Sequence, residues 1–381
     1  MRRVPSTALR PGMRVGHAIY NSNGEILLNS HVILKKSYID SLIKMGIPAI
    51  YIIDESLPDF YVEDIIDEKT RVDTIRLTKN ILKDTDFAKS PLNKAHLSEA
   101  RKNIVDIIDQ LLEKQYLMVN MVDIRSFDDY LFGHSVNVCV LSLITGISLG
   151  YNKTKLMLLG MGALMHDIGK TLIPAKLLNK PGTLTTDEFN VVKQHSELGY
   201  TILSNCEPHI KKISALIALQ HHERFNGEGY PQGLCGLKSE IHEFSQITGI
   251  ADVYDAMTAD RVYRKAHPPY EAYEMLAGSG NFFFDYKLVR SFLSNIAAYP
   301  AGSLVRLSTN EIAMVTETAK GYSLYPKIII IFDAEEKRLE KPVEIDLSKQ
   351  NTVTITKVLE YEEIQGFKIQ DEGQFDKAYG I

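Results

Sequence analysis

The chain has 381 residues and a formal net charge of −5, with 45% hydrophobic and 24% charged residues. This length predicts two or three domains, the composition excludes wholesale disorder, and the mildly acidic balance argues against a protein that coats nucleic-acid polymers. Cys139, Cys206 and Cys235 show no CxxC spacing, which argues against both a disulfide framework and a thiolate zinc site.

The N-terminal segment has no leader-like pattern. Two arginines follow Met1, but no apolar run comes after them, and the longest apolar stretches of the chain fall short of the ~20 residues that span a bilayer. The sequence therefore predicts a cytoplasmic protein with no membrane span.

Residues 1–60 predict a small α/β accessory domain, for which a sensory role is one hypothesis. Strand-like runs flank Asn23-Gly24, a pair typical of a type I′ hairpin turn, and a helical pattern ends at Gly46 before a second strand-like run. Nothing in this segment has metal-ligand spacing.

Residues 61–115 predict a helical connector made of two long helices joined near Ser90-Pro91. An apolar stripe lies on the second helix, formed by Ile104, Ile107, Ile108, Leu111 and Leu112. Two interpretations are open: the helix packs on its own domain, or it serves as a signalling connector or as the apolar stripe of a homodimer.

Residues 116–299 are mostly helical by pattern, and six of the eleven histidines of the chain lie between His134 and His222. Residues 300–381 are rich in strand-like runs separated by turn residues, which predicts a small β domain. The predicted fold class is therefore mainly α, a helical bundle with a small N-terminal α/β unit and a small C-terminal β domain.

A buried metal site is the strongest chemical prediction. His166 and Asp167 follow a helix that is apolar on all sides, where a buried imidazole and carboxylate need a counter-charge. One alternative is a helix-ending ion pair between Asp167 and Lys170. Other helical segments also carry histidine or aspartate, so four helices could aim ligands at one centre: His134, His195, His221, His222 and Asp252. Nitrogen and oxygen ligands of this kind suit iron, manganese or zinc.

The motifs resemble a known family. HDIGK at 166–170, followed by IPAKLLNKPGTLT at 173–185, is similar to the HD superfamily of metal-dependent phosphohydrolases. HHERFNGEGYPQGL at 221–234 contains the His-His pair and the Gly-Tyr-Pro triplet of the HD-GYP subgroup. The resemblance covers roughly residues 122–299, and it implies that the central bundle is an HD-type catalytic domain.

The resemblance also implies roles for individual residues. One metal would be held by His134, His166, Asp167 and Asp252, and a second by Asp167, His195, His221 and His222, with Asp167 as the bridging, catalytic carboxylate. Lys170 would bind a phosphate oxygen, and Arg261 and Arg264 resemble phosphate-contacting cations. The loop with Tyr230 would line the substrate mouth or, alternatively, dock a partner such as a GGDEF domain. Surface ion pairing with Asp255 or Asp260 is the alternative for the two arginines.

Two positions depart from the family pattern. Relatives with three metals carry a carboxylate four residues before the first ligand, where this chain has Tyr130, so two metals are expected. Asn226 lies where aspartate is common in the GYP stretch, which predicts altered hydrogen bonds in that loop without loss of a metal ligand.

The function implied by the resemblance is hydrolysis of cyclic di-GMP to pGpG or GMP, by a hydroxide held between two divalent metals, iron or alternatively manganese. Two other hypotheses remain: hydrolysis of another cyclic dinucleotide such as cyclic GMP-AMP, and a non-catalytic regulatory module that binds a GGDEF-domain partner. A lost metal ligand would indicate the last of these, and all seven candidates are present.

Overall fold

The computed structural model describes residues 1–20, 25–45, 47, 49–53, 65–83, 92–114, 118–119, 130–206, 208–259, 266–350, 352–359 and 363. The fold class is the predicted one, mainly helical with a small sheet at each end of the chain. No helix among these residues is both long and apolar enough to cross a bilayer.

Among its described residues, the N-terminal unit contains five short strands and one α-helix. Its elements are β1 (Arg2–Pro5), β2 (Arg14–Val15), β3 (Ile19–Tyr20), β4 (Ile26–Leu28), α1 (Lys36–Lys44) and β5 (Ala49–Ile53). β5 pairs antiparallel with β1 on one side and β2 on the other, while β3 and β4 pair with each other. The β3–β4 pairing agrees with the predicted hairpin, although its turn at Asn23-Gly24 lies outside the described residues.

The central bundle contains all the remaining α-helices that the structure describes. They are α2 (Glu68–Lys83), α3 (Lys94–Glu113), α4 (Tyr130–Ser148), α5 (Lys153–Leu164), α6 (Ala175–Leu178), α7 (Thr186–Lys193), α8 (His195–Ser204), α9 (Lys212–Gln220), α10 (Glu243–Thr258), α11 (Pro269–Gly278) and α12 (Tyr286–Leu293). A 3-10 helix (Ile168–Leu172) follows α5.

The apolar stripe of α3 is buried within the chain. Ile104, Ile107, Ile108 and Leu111 belong to the same hydrophobic core as α4, α5, α9 and α10, and Leu112 packs against that core. The structure therefore favours the interpretation in which this helix packs on its own bundle. The predicted limits of the connector, at residues 61 and 115, stay a prediction.

Close packing of α5 against α9 positions the C-terminal end of α5 in the middle of the bundle. At Gly162 an added Cβ would lie 2.4 Å from Ile217 Cδ1 and 2.5 Å from the carbonyl oxygen of Ser214. A larger residue would force the two helices apart. This contact fixes the position of His166 and Asp167, which follow directly after α5.

The C-terminal sheet is antiparallel throughout. It consists of β6 (Leu304–Leu307), β7 (Ile312–Glu317), β8 (Lys327–Phe332), β9 (Arg338–Asp346) and β10 (Ile355–Val358), in the order β10-β6-β7-β8-β9. Alternate residues of the central strands, including Val305, Ala313 and Val315, form one of its small cores.

Candidate metal centre

Seven side chains from five parts of the bundle converge on one buried point. α4 carries His134, α10 carries Asp252, His195 begins α8, and the pairs His166-Asp167 and His221-His222 follow the ends of α5 and α9. All are buried except His222, which is half-buried. They form two groups of ligand atoms: Asp167, His195, His221 and His222 in one, and His134, His166 and Asp252 in the other.

Asp167 lies between the two groups and faces each with a different oxygen. Its Oδ2 is 3.4 Å from His166 Nε2 and 3.8 Å from His134 Nε2. Its Oδ1 is 3.5 Å from His195 Nε2 and 3.9 Å from His221 Nε2. One carboxylate can thus contribute an oxygen to each of two cations, which is the geometry expected of a bridging ligand.

Backbone hydrogen bonds fix the orientation of three imidazoles. Nδ1 of His166 lies 2.8 Å from the carbonyl oxygen of Ala163, Nδ1 of His195 lies 2.7 Å from that of Val192, and Nδ1 of His221 lies 3.0 Å from that of Ile217. A carbonyl oxygen only accepts, so each Nδ1 donates and the neutral ring directs the lone pair of Nε2 into the site.

These orientations leave charge unbalanced unless a cation is present. Nε2 of His195 and Nε2 of His221 face each other at 3.5 Å, and both are lone-pair acceptors when Nδ1 carries the proton. Among the described side chains, His166 Nε2 and Asp167 Oδ1 are buried without a hydrogen-bond partner. Buried polar atoms of this kind are costly, and a divalent cation in each of the two groups would satisfy all four. The donor set therefore fits a metal centre.

The pKa values keep most of the imidazoles neutral, the form that binds metal. Burial, aided by neighbouring imidazoles, lowers the pKa of His221 to about 3 and that of His222 well below its usual range, and burial also lowers the pKa of His195. Burial opposes ionisation of Asp167, but Lys170 and the nearby imidazoles outweigh it and hold the pKa of this carboxyl well below its ordinary value.

Sequence reasoning missed the residues that support His134. Its Nδ1 lies 2.7 Å from Oδ2 of Asp255, a buried carboxylate whose Oδ1 accepts a 2.6 Å hydrogen bond from Asn137. Nε2 of His134 lies 3.1 Å from Asp252 Oδ1. The available signal was the spacing: Asp255 follows Asp252 by three residues and Asn137 follows His134 by three, so each pair shares a helix face.

We expect Asp255→Asn to weaken the His134 side of the centre. An amide holds the imidazole less strongly than a carboxylate, and partners of this kind contribute roughly 10- to 100-fold to metal affinity or activity. Metal titration should show one affected site and one unaffected site. Asp106→Asn, at an exposed position of α3, is the matched control, and equal metal affinity in both variants would contradict a supporting role for Asp255.

The metal-free chain should be most stable near pH 7. Histidines in the unfolded chain take up protons near pH 6.5, whereas His195, His221 and His222 in the folded chain resist protonation. Between pH 5 and 7 the unfolded chain therefore binds more protons than the folded one. Under this condition the free energy of unfolding rises with pH. His134 has the opposite effect on stability. Burial works to lower its pKa, but hydrogen bonds to Asp252 and Asp255 raise the pKa to about 9. The protonated His134 therefore stabilises the folded chain fully below pH 6.5, and this stabilisation is lost as the pH rises towards 9. Thermal melts in chelator from pH 5 to 9 measure this, and a Tm that falls from pH 5 to 7 would contradict it.

The loop that contains Tyr230 is attached to the end of α9 by Glu223, another residue that sequence reasoning missed. Its buried carboxylate accepts hydrogen bonds from the backbone N–H groups of Gln232 (2.7 Å) and Leu234 (2.9 Å). The Tyr230 ring lies 4.6 Å from the His222 ring, centroid to centroid. Tyr230 is thereby held beside the cluster, and its place at the substrate mouth stays a prediction.

The remaining predicted residues divide into three cases. Nζ of Lys170 lies 2.5 Å from Asp167 Oδ2, so the ion pair that the sequence left open is present. Asn226 accepts from the backbone N–H of Glu228 and donates to its carboxylate, which closes a local turn. Arg261 and Arg264 lie outside the described residues, as does the side chain of Tyr130.

Comparison with known proteins assigns two of the domains. Residues 120–288 match a family model described as an HD domain, and residues 304–367 match one described as a KOW domain associated with HD domain. The HD match contains all seven side chains of the cluster.

The HD match and the similar proteins agree with the HD-GYP resemblance of the central domain. The chain is 34% identical over 239 residues to a cyclic di-GMP phosphodiesterase of Pseudomonas aeruginosa, a match that covers 61% of this chain and 56% of that protein. It is 31% identical over 238 residues to a cyclic di-GMP phosphodiesterase of Thermotoga maritima, a match that covers 55% of this chain and 64% of that protein. It is also 30% identical over 192 residues to a 3'3'-cGAMP-specific phosphodiesterase of Vibrio cholerae, with 50% of this chain and 36% of that protein covered.

Each match covers less than two thirds of the relative's own length. The likeness therefore concerns only part of each relative. Within the HD match, the structure brings together every predicted metal ligand, and the cluster they form could hold metal.

Proposed function

We propose that the HD-GYP domain of this chain hydrolyses the phosphodiester bonds of cyclic di-GMP, giving pGpG, GMP or both. The observation that carries the proposal is the position of Asp167 between two groups of buried imidazoles, with one oxygen directed at each group. Relatives that are 34% and 31% identical to this chain over 239 and 238 residues are also named cyclic di-GMP phosphodiesterases.

In this proposal His134, His166, Asp167 and Asp252 hold one divalent cation, and Asp167, His195, His221 and His222 hold the other. When bound, the two cations neutralise charge on the phosphodiester and acidify a water molecule. The mixed nitrogen and oxygen donors suit iron, with manganese as the alternative.

The other predicted residues act on the substrate. Lys170 is three residues beyond Asp167 and one quarter exposed, so its ammonium group can contact both the Asp167 carboxylate and a phosphate oxygen at the surface of the site. Tyr230 contributes an aromatic face beside His222. Arg261 and Arg264 are proposed to add positive charge for the phosphates.

A second substrate is supported by a specific observation. One relative at 30% identity and another at 36% are named 3'3'-cGAMP-specific phosphodiesterases. Both compounds present the same phosphodiester to the metal centre and differ in one base, so the cluster itself does not separate them. A GGDEF-domain partner, a homodimer and a sensory role for residues 1–60 remain hypotheses.

The test is one assay on the full chain. The protein is purified anaerobically, its metals are counted, and cyclic di-GMP and 3'3'-cGAMP are followed by chromatography with Fe(II) or Mn(II), with chelator-treated protein as the control. About two metals per chain and metal-dependent formation of pGpG or GMP are expected. Turnover of 3'3'-cGAMP alone would favour the second substrate, and two metals with no turnover of either would favour a regulatory module.

A further inference from the structure

An aromatic side chain lies exposed beside the metal centre without a role in it. Phe189 on α7 is 42% exposed, although a benzyl group of this size normally gains from burial. Its ring contacts Tyr230 edge to face, with centroids 6.1 Å apart, and Tyr230 in turn lies against His222. Two ring contacts therefore connect Phe189 to the ligand cluster.

A cation is held against both rings. Nζ of Lys193 lies 4.8 Å from the centroid of Phe189 and 5.4 Å from that of Tyr230, within the range of cation–π attraction. Phe189 and Lys193 are four residues apart, so they share one face of α7. We call Phe189, Lys193 and Tyr230 the aromatic rim.

The rim rests on rigid elements. Thr185 and Glu188 form a capping box at the start of α7, and Lys180 binds the Glu188 carboxylate at 2.6 and 2.8 Å. The metal ligand His195 follows the end of α7 by two residues, and the loop bearing Tyr230 is held by Glu223. The helix is therefore fixed at both ends, and its exposed ring is pre-positioned for a ligand.

We propose that the aromatic rim seats one nucleobase of the substrate, stacked on Phe189, while Lys193 attracts the adjoining anionic sugar-phosphate. This inference rests on the proposed function. A phosphodiester at the metal centre carries its base one sugar away, in the region that the rim borders. Unpaired bases stack on exposed aromatic side chains, and stacking of this kind does not depend on the hydrogen-bonding edge of the base. The rim is thus a site for purine rings in general and treats guanine and adenine alike.

Substitution of Phe189 tests the stacking. Phe189→Leu keeps apolar bulk but removes the π face, so KM for cyclic di-GMP should rise roughly 5- to 50-fold while kcat and metal content stay within about twofold of the parent. KM for 3'3'-cGAMP should rise by the same factor. Phe189→Tyr should restore the parent KM, and Phe282→Leu, at another exposed phenylalanine, should leave it unchanged.

A fluorescence experiment reads binding without turnover. The chain contains no tryptophan, so Phe189→Trp places a single indole at the rim. Saturable quenching by GMP, but not by ribose 5-phosphate, is expected because only GMP presents a base. Lys193→Gln on this background should weaken the GMP titration several-fold.

The outcomes separate this inference from the proposed function. An unchanged KM in Phe189→Leu, in a chain that hydrolyses cyclic di-GMP, would overturn the rim and leave the proposed function intact. Quenching by ribose 5-phosphate as strong as by GMP would also overturn it, because the base would then be irrelevant. A parent chain that hydrolyses no cyclic dinucleotide, together with base-dependent quenching in Phe189→Trp, would support the rim as a nucleotide site and refute the proposed reaction.

Discussion

Asp167→Asn should lose both metal and activity while keeping its shape. The side chain is only 1% exposed, and an amide offers one oxygen where the carboxylate offers two, so one of the two imidazole groups loses its shared ligand. We expect metal content to fall from about two ions per chain to one or none, and hydrolysis of cyclic di-GMP to become undetectable. Metal analysis and chromatography of the product measure the two effects.

The control for this variant is Asp106→Asn, which makes the same chemical change at an exposed position. It should retain full metal content and turnover. The metal-free Asp167→Asn chain should also fold, which circular dichroism checks. Full metal content with normal turnover in Asp167→Asn would refute the bridging role.

Gly169→Ala should disrupt the centre through the backbone. An added Cβ at this position would lie 1.9 Å from the carbonyl oxygen of His195 and 2.6 Å from the backbone nitrogen of Gly199, so the 3-10 helix and α8 would have to separate. Overpacking of a rigid contact typically lowers the free energy of unfolding by about 1–3 kcal/mol. A clash with backbone atoms should cost about 3 kcal/mol or more, because backbone cannot move aside as a flexible side chain can. We expect a loss of about 3 kcal/mol in the free energy of unfolding, and metal affinity reduced at the group that contains His195.

Gly278→Ala provides the matched comparison, because no atom lies within 4 Å of the added Cβ at the end of α11. It should be neutral or slightly stabilising, since alanine favours a helix more than glycine does. Urea unfolding of the metal-free chains separates stability from metal binding. Equal stability of the two variants would mean that the 3-10 helix and α8 tolerate separation and that their contact does not position His195.

Several parts of the site could be predicted from the sequence, because the residue type alone shows which side chains can bind a metal. A histidine and an aspartate directly after an apolar helix imply a buried polar pair, and five histidines with two acids at the starts, middles and ends of helices imply convergence. The burial of the α3 stripe was left open, because an apolar stripe is equally consistent with a neighbouring helix of the same chain and with a second copy.

By itself, the sequence determined the residue types of the centre, the family of its domain and the mainly helical class. Only the tertiary structure decided that Asp167 directs its two oxygens at different imidazole groups, that Asp255 supports His134, and that Phe189 and Lys193 border the site. Ligand identity depends on residue chemistry, which a sequence shows directly. Distances between residues that are far apart in the sequence depend instead on how α4, α5, α8, α9 and α10 pack. That packing is set by many small contacts such as the close approach at Gly162.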